Sequence, residues 1–125
     1  MYTYNFMNDQ LRLDLLITAI EGGSNYWYYI PSADTEKINR YGNDGVSFAE
    51  RMMAAIQAKE TIQIHDYEDV DECIGSINLE SIEHGESLMM KENNSHYLNA
   101  IEDCWDAETA DVWFQYCVLG EITFG

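Results

Sequence analysis

The sequence predicts a small α+β domain, with four to five helices beside a small antiparallel sheet, and three observations carry that prediction. Stretches with apolar residues three and four apart alternate with short β-branched or aromatic runs. Glycines stand where one pattern gives way to the next. The 125-residue chain, 46% apolar, is long enough for one hydrophobic core and has no linker or internal repeat to divide it. Residues 1–125 are therefore read as a single domain.

The first ten residues alternate loosely and suggest a short strand over Tyr2–Phe6. From Asp9 the pattern turns helical: Leu13, Leu16, Ile17 and Ile20 form one face, widened by Leu11 and Leu15, and Asn8 or Asp9 can cap it. Gly22 or Gly23 is expected to stop this helix by taking a positive φ. Residues 26–30, "YWYYI", read as a strand ended by Pro31, with Tyr26, Tyr28 and Ile30 on one face and Trp27 and Tyr29 on the other. A short helix is expected over 34–40.

Ser47–Lys59 is the clearest helix, opened by a Ser47/Glu50 capping box and facing inward with Phe48, Met52, Ala55 and Ile56. Ile62 and Ile64 then alternate with Thr61, Gln63 and His65 in a half-buried strand, and the acid-rich "DYEDVDE" follows as a loop or edge. Asn78 caps a helix over Leu79–Lys91, with Ile77 and Ile82 placed as a hydrophobic staple. Gly85 inside it costs about 1 kcal/mol against alanine, so close packing or a kink is expected there. A short helix over Tyr97–Asp103 precedes a last one, capped by Asp106 and stopped by Gly120. "EITFG" ends the chain as a strand candidate.

Charge is the most informative global property. The net charge is −17; residues 1–62 contribute −3, while residues 63–125 set fifteen acids against Lys91 alone. Such a surface disfavours direct contact with nucleic acid or an anionic membrane. No apolar run is long enough to cross a bilayer, and "MYTYNFMNDQ" lacks the basic and apolar regions of a secretory signal. Cys73, Cys104 and Cys117 lack CxxC spacing and are odd in number, which suits free thiols in the cytoplasm. Cys104 and Cys117 read as core residues.

No catalytic or metal motif is present. His65, His84 and His96 are widely spaced, and the chain has no HExxH or GxSxG pattern. The acids at 66–72 lack the glycine of a calcium-binding loop. "EGGSN" lacks the lysine and spacing of a phosphate loop, and Glu21 beside it opposes an anion. Ser24 has no context that would make it a nucleophile, and no cofactor is implied. The acids can instead imitate duplex phosphates before a basic groove; the candidates are Asp66, Glu68, Asp69, Asp71, Glu72, Glu80, Glu83, Glu86, Glu102, Asp103 and Asp106.

Two stretches carry a resemblance. "AIEGGSNYWYYI" (19–30) and "DAETADVWFQYCVLGEITFG" (106–125) resemble small bacteriophage, prophage and gut-bacterial proteins that share an E-G-G-x-N-Y-W segment and a D-A-E-T-A-D…Q…G-E…G tail. "INLESIEHGESLM" (77–89) resembles their middle. The resemblance implies a phage or mobile-element origin and action inside a bacterial cell, with no activity attached. It also suggests that the two motifs meet in space. Glu21, Asn25, Tyr26, Trp27, Tyr29, Glu108, Asp111 and Gln115 would then form either an aromatic ligand pocket or a buried polar network, the network being preferred.

The expected function is that of a non-enzymatic acidic protein binding a host protein, in its sharpest form by DNA mimicry. The alternatives are a small-molecule-binding protein and a small enzyme without a recognisable motif. An aromatic strand left at an edge could also pair across a homodimer.

Overall fold

Helix α6 (Ala107–Leu119) is the element around which the chain is built. After Glu108 in its first turn, its sequence is apolar on every side apart from Thr109, Asp111 and Gln115, and a helix of that kind is stable only when surrounded. In the computed structural model, which describes residues 7–125, every residue from Thr109 to Val118 is buried. The strand expected over Tyr2–Phe6 lies outside the described residues.

Helix α1 (Asp9–Thr18) starts at the Asn8 cap, whose side chain accepts from Leu11 N at 2.8 Å, and turns Leu15 and Leu16 inward. The chain then widens into a π-helical turn, Ala19–Gly23. The glycines do stop the helix, but not by a positive φ: Gly22 is extended at 179°. Gly23 is there for space, since a Cβ would lie 2.8 Å from the Ala107 carbonyl oxygen at the start of α6.

The expected strand over 26–30 shortens to β1 (Tyr28–Tyr29). Residues 24–27 form a turn, closed by Trp27 N on Ser24 O at 3.1 Å, and the two-residue alternation fails there. Trp27 and Ile30 are buried, whereas Tyr26 and Tyr29 are exposed. Only two residues remain for pairing at this edge.

Pro31 leads into α2 (Ser32–Asn39), which starts two residues earlier than expected. In α3 (Phe48–Gln57) the Ser47/Glu50 capping box forms in both directions, with Met52, Ala55 and Ile56 buried. Strands β2 (Ile62–Asp66) and β3 (Asp69–Ile77) form a hairpin, and the antiparallel sheet runs β1-β2-β3. Ile62, Ile64 and Ile77 face the core. Tyr29, His65 and Cys73 lie opposite one another on the outer face, where Gln63 also points.

The acidic stretch is thus both the hairpin turn and the first half of an edge strand that was not anticipated as far as Ile77. A bulge hides it: His65 pairs with Cys73 but Asp66 with Asp69, which leaves Val70–Glu72 unopposed and breaks the alternation. Charge and bulge together blunt this edge against self-pairing.

Asn78 caps α4 (Leu79–Glu92) in a reciprocal box with Ser81, and Ile77 and Ile82 are buried at the staple positions. Helix α5 (Asn94–Ile101) begins before Tyr97. Asp106 caps α6, and Gly120 ends it in the left-handed region at φ 76°. The described residues thus hold six α-helices, where four or five were expected, beside three strands.

Residues 121–125 do not form a strand. Instead the Gln115 side chain imitates one: its Oε1 accepts from Thr123 N and Phe124 N, both at 2.9 Å, and its Nε2 donates to Phe124 O at 3.1 Å. No helix among the described residues is long and apolar enough to cross a membrane.

Candidate functional site

Asp111 and Gln115 stand one helical turn apart on α6, and the turn at 24–27 folds against them. Asp111 Oδ1 accepts from Ser24 Oγ at 2.7 Å and Trp27 Nε1 at 2.8 Å; Oδ2 accepts from Tyr26 OH at 2.5 Å and Gln115 Nε2 at 3.2 Å. A carboxylate has about four acceptor sites, so these donors saturate it. Phe124 closes the cluster by stacking on Trp27, with centroids 5.2 Å apart and planes at 8°.

The "EGGSNYW" and "DAETAD" segments therefore meet, but the Asp111 carboxylate has no free acceptor site to offer a ligand. Of the eight pocket candidates, Tyr26, Trp27, Asp111 and Gln115 come together. Glu21, Asn25 and Glu108 stay exposed outside the cluster, and Tyr29 lies on the sheet's outer face. Of the two rings expected to meet a ligand, Trp27 is sealed at 1% exposed, whereas Tyr29 is 36% exposed. Ser24, met in the sequence as a conceivable nucleophile, is buried and spends its hydroxyl on Asp111.

A second carboxylate is consumed between α1, α4 and α6. Glu86, one of the phosphate-mimic candidates, is 6% exposed and cannot belong to a surface array. Arg12 Nε donates to its Oε2 at 3.0 Å, Arg12 Nη2 to Oε1 at 2.7 Å, and Trp113 Nε1 to Oε2 at 2.9 Å. Glu86 holds the guanidinium pKa above its ordinary value through these hydrogen bonds, against the opposing effect of burial. A lone Arg12 between Leu11 and Leu13 was the available sequence signal for this pair. Among the described residues, Arg51 Nε is the buried side-chain nitrogen without a partner, so both carboxylate centres are complete.

Removing one member of a buried pair leaves the other charge uncompensated. Arg12→Met is expected to lower unfolding free energy by about 3 kcal/mol. Adding Glu86→Met should recover only part of that loss, because Trp113 Nε1 is then left without its acceptor, as read by urea denaturation of the single and double variants.

The remaining mimic candidates sit on three elements. Glu68, Asp69, Asp71 and Glu72 are exposed on the hairpin, with Asp66 half-buried beside them; Glu80 and Glu83 are exposed on α4; Glu102, Asp103 and Asp106 are exposed between α5 and α6. Asp106 is occupied as a cap, and its pKa is lowered, first by the hydrogen bond from Thr109 N. Ion pairs among the described residues are Arg12–Glu86, Lys37–Asp34 and His96–Glu108, so the hairpin acids have no internal counter-charge.

A hydroxyl–imidazole–carboxylate row was not foreseen. His96 places Nδ1 2.9 Å from Thr109 Oγ1 and Nε2 3.1 Å from Glu108 Oε2. Thr109 is buried, and its hydroxyl also lies 3.3 Å from Asp106 Oδ1, so the position a nucleophile needs is closed to substrate. Cys117 is buried as expected; Cys104 is exposed, not part of the core, because the chain has left α5 before reaching it.

Several phenols and a thiol resist ionisation. The Tyr26 and Tyr28 hydroxyls are pushed up to about 12, both chiefly by lost hydration, Tyr26 also by donating to Asp111. Burial also raises Tyr97, Tyr116 and Cys117. Folding thus favours the neutral forms. This stabilisation is complete below the unfolded tyrosine value of 10 and is lost as pH rises toward 12. The urea midpoint should therefore fall steeply across that window, and Tyr28→Phe should flatten the fall.

Comparison with protein-family models, curated proteins and solved structures finds no match.

Proposed function

We propose that this protein acts by binding, presenting the acids of the β2–β3 hairpin to a basic partner protein. The observation that supports this reading is the contrast between two sets of carboxylates. Asp111 and Glu86 are buried and saturated by internal donors, whereas Glu68, Asp69, Asp71 and Glu72 project into solvent with no internal ion pair among the described residues. Keeping like charges together on a bulged hairpin destabilises the free protein. A cationic partner would offset that cost and be steered to it at long range.

The phage-type resemblance makes the partner a host protein and the setting the bacterial cytoplasm. In its strict form the partner is a DNA-binding protein and the acids occupy its phosphate sites. The test is capture from bacterial lysate by the wild-type protein and by an Asp69→Asn/Asp71→Asn/Glu72→Gln variant. The reading expects a reproducible partner that is lost on raising salt and lost with the variant, and in the strict form competed off by duplex DNA. Equal recovery by both proteins would sink it.

A further inference from the structure

A row of paired positions crosses the sheet: Tyr29 on β1 lies opposite His65 on β2, and His65 lies opposite Cys73 on β3. Opposite residues of antiparallel strands share a face, and here Ile62, Ile64 and Ile77 occupy the other one. The row therefore faces solvent, with Tyr29 36% exposed and Cys73 exposed as a free thiol. Immediately before Cys73, Asp71 and Glu72 are exposed in the stretch of β3 that has no partner on β2, and residues 60–90 contain no lysine or arginine.

We propose that this face docks an arginine-bearing segment of the basic partner, with a guanidinium stacked on the Tyr29 ring and held by Asp71 and Glu72. The inference rests on the reading of the protein as an acidic binder and adds to it a docking face and a side-chain chemistry. Arginine is specified because its planar group can stack on an aromatic ring while its N–H groups still reach carboxylates; lysine offers only a point charge. A second copy paired through β3 is disfavoured as the occupant, since that pairing would bring Asp69, Asp71 and Glu72 of both chains to the same interface.

Two peptides of equal length and charge, one carrying arginine and the other lysine, test this by fluorescence anisotropy on the intact protein. The arginine peptide should bind about fivefold tighter. Tyr29→Ala should erase that preference while leaving salt-dependent binding of the lysine peptide, and Tyr29→Phe should keep it, with circular dichroism checking both folds. Cys73 and Cys104 supply a positional readout, because both are exposed and only Cys73 lies on the face. Bound arginine peptide should slow alkylation of Cys73 and spare Cys104.

Equal affinity for the two peptides, a preference that survives Tyr29→Ala, or equal protection of both thiols would overturn the proposal. So would a dimer that buries Cys73 without peptide. Each of these can occur while lysate capture still depends on the hairpin acids, so the failure of the docking face is separable from failure of the acidic-binding reading.

Discussion

Asp111→Ala is expected to lower the unfolding free energy by about 4 kcal/mol, because two fully buried donors lose their acceptor at once. Ser24 Oγ and Trp27 Nε1 both end on Asp111 Oδ1, and neither residue is more than 1% exposed. Tyr26 is 44% exposed and can turn its hydroxyl to water, so it adds little to the loss. Gln115 keeps its bonds to the C-terminal segment. Asp111→Asn retains the shape and one acceptor oxygen, and its loss should be about half as large. Urea denaturation followed by tryptophan fluorescence measures both. A loss below about 1 kcal/mol for the alanine variant would mean that the donors find water, and the cluster would then not be closed.

Gly85→Ala is the second large effect, and it runs against helix propensity. In an open helix the change gains about 1 kcal/mol. Here the new Cβ would lie 2.5 Å from Tyr116 O and 2.7 Å from Cys117 N, both backbone atoms of α6 that no rotamer change can move. The two helices must separate, and the expected loss is about 3 kcal/mol. Glu86 is the next residue, so the shift should also loosen its bonds to Arg12 and Trp113. Ser87→Ala, at an exposed position of the same helix, is the control and should change stability by less than about 0.5 kcal/mol. A Gly85→Ala variant as stable as that control would show that α4 and α6 do not touch at their backbones.

Gly75 tells the same story from the sheet. A Cβ there would lie 2.6 Å from the Val118 carbonyl oxygen. With Gly23 and Gly85, it lets a third backbone approach α6. A glycine inside a predicted helix or strand can be read as a sign of close approach, and Gly85 was. What it approaches is a property of the assembled chain.

Local chemistry was legible where the interaction is local. The Asn8, Ser47, Asn78 and Asp106 caps each satisfy a backbone N–H within three residues, and apolar spacing set the inward faces of α3 and β2. Failures of the reading fall where partners distant in sequence override local preference. The aromatic run at 26–30 is bent into a turn by Asp111, more than eighty residues away. The bulge at Val70–Glu72 erased the alternation that would have extended β3.

For the candidate site, sequence alone determined the acidity of the second half and the composition of the hairpin, while the meeting of "EGGSNYW" with "DAETAD" was an expectation drawn from the resemblance. Tertiary structure decided which carboxylates face water. Glu86 and Glu83 are both helical glutamates three residues apart, yet one is fixed by Arg12 and Trp113 and the other is exposed. That sorting depends on whether a buried counter-charge or donor waits at the facing position, and long-range packing supplies the partner.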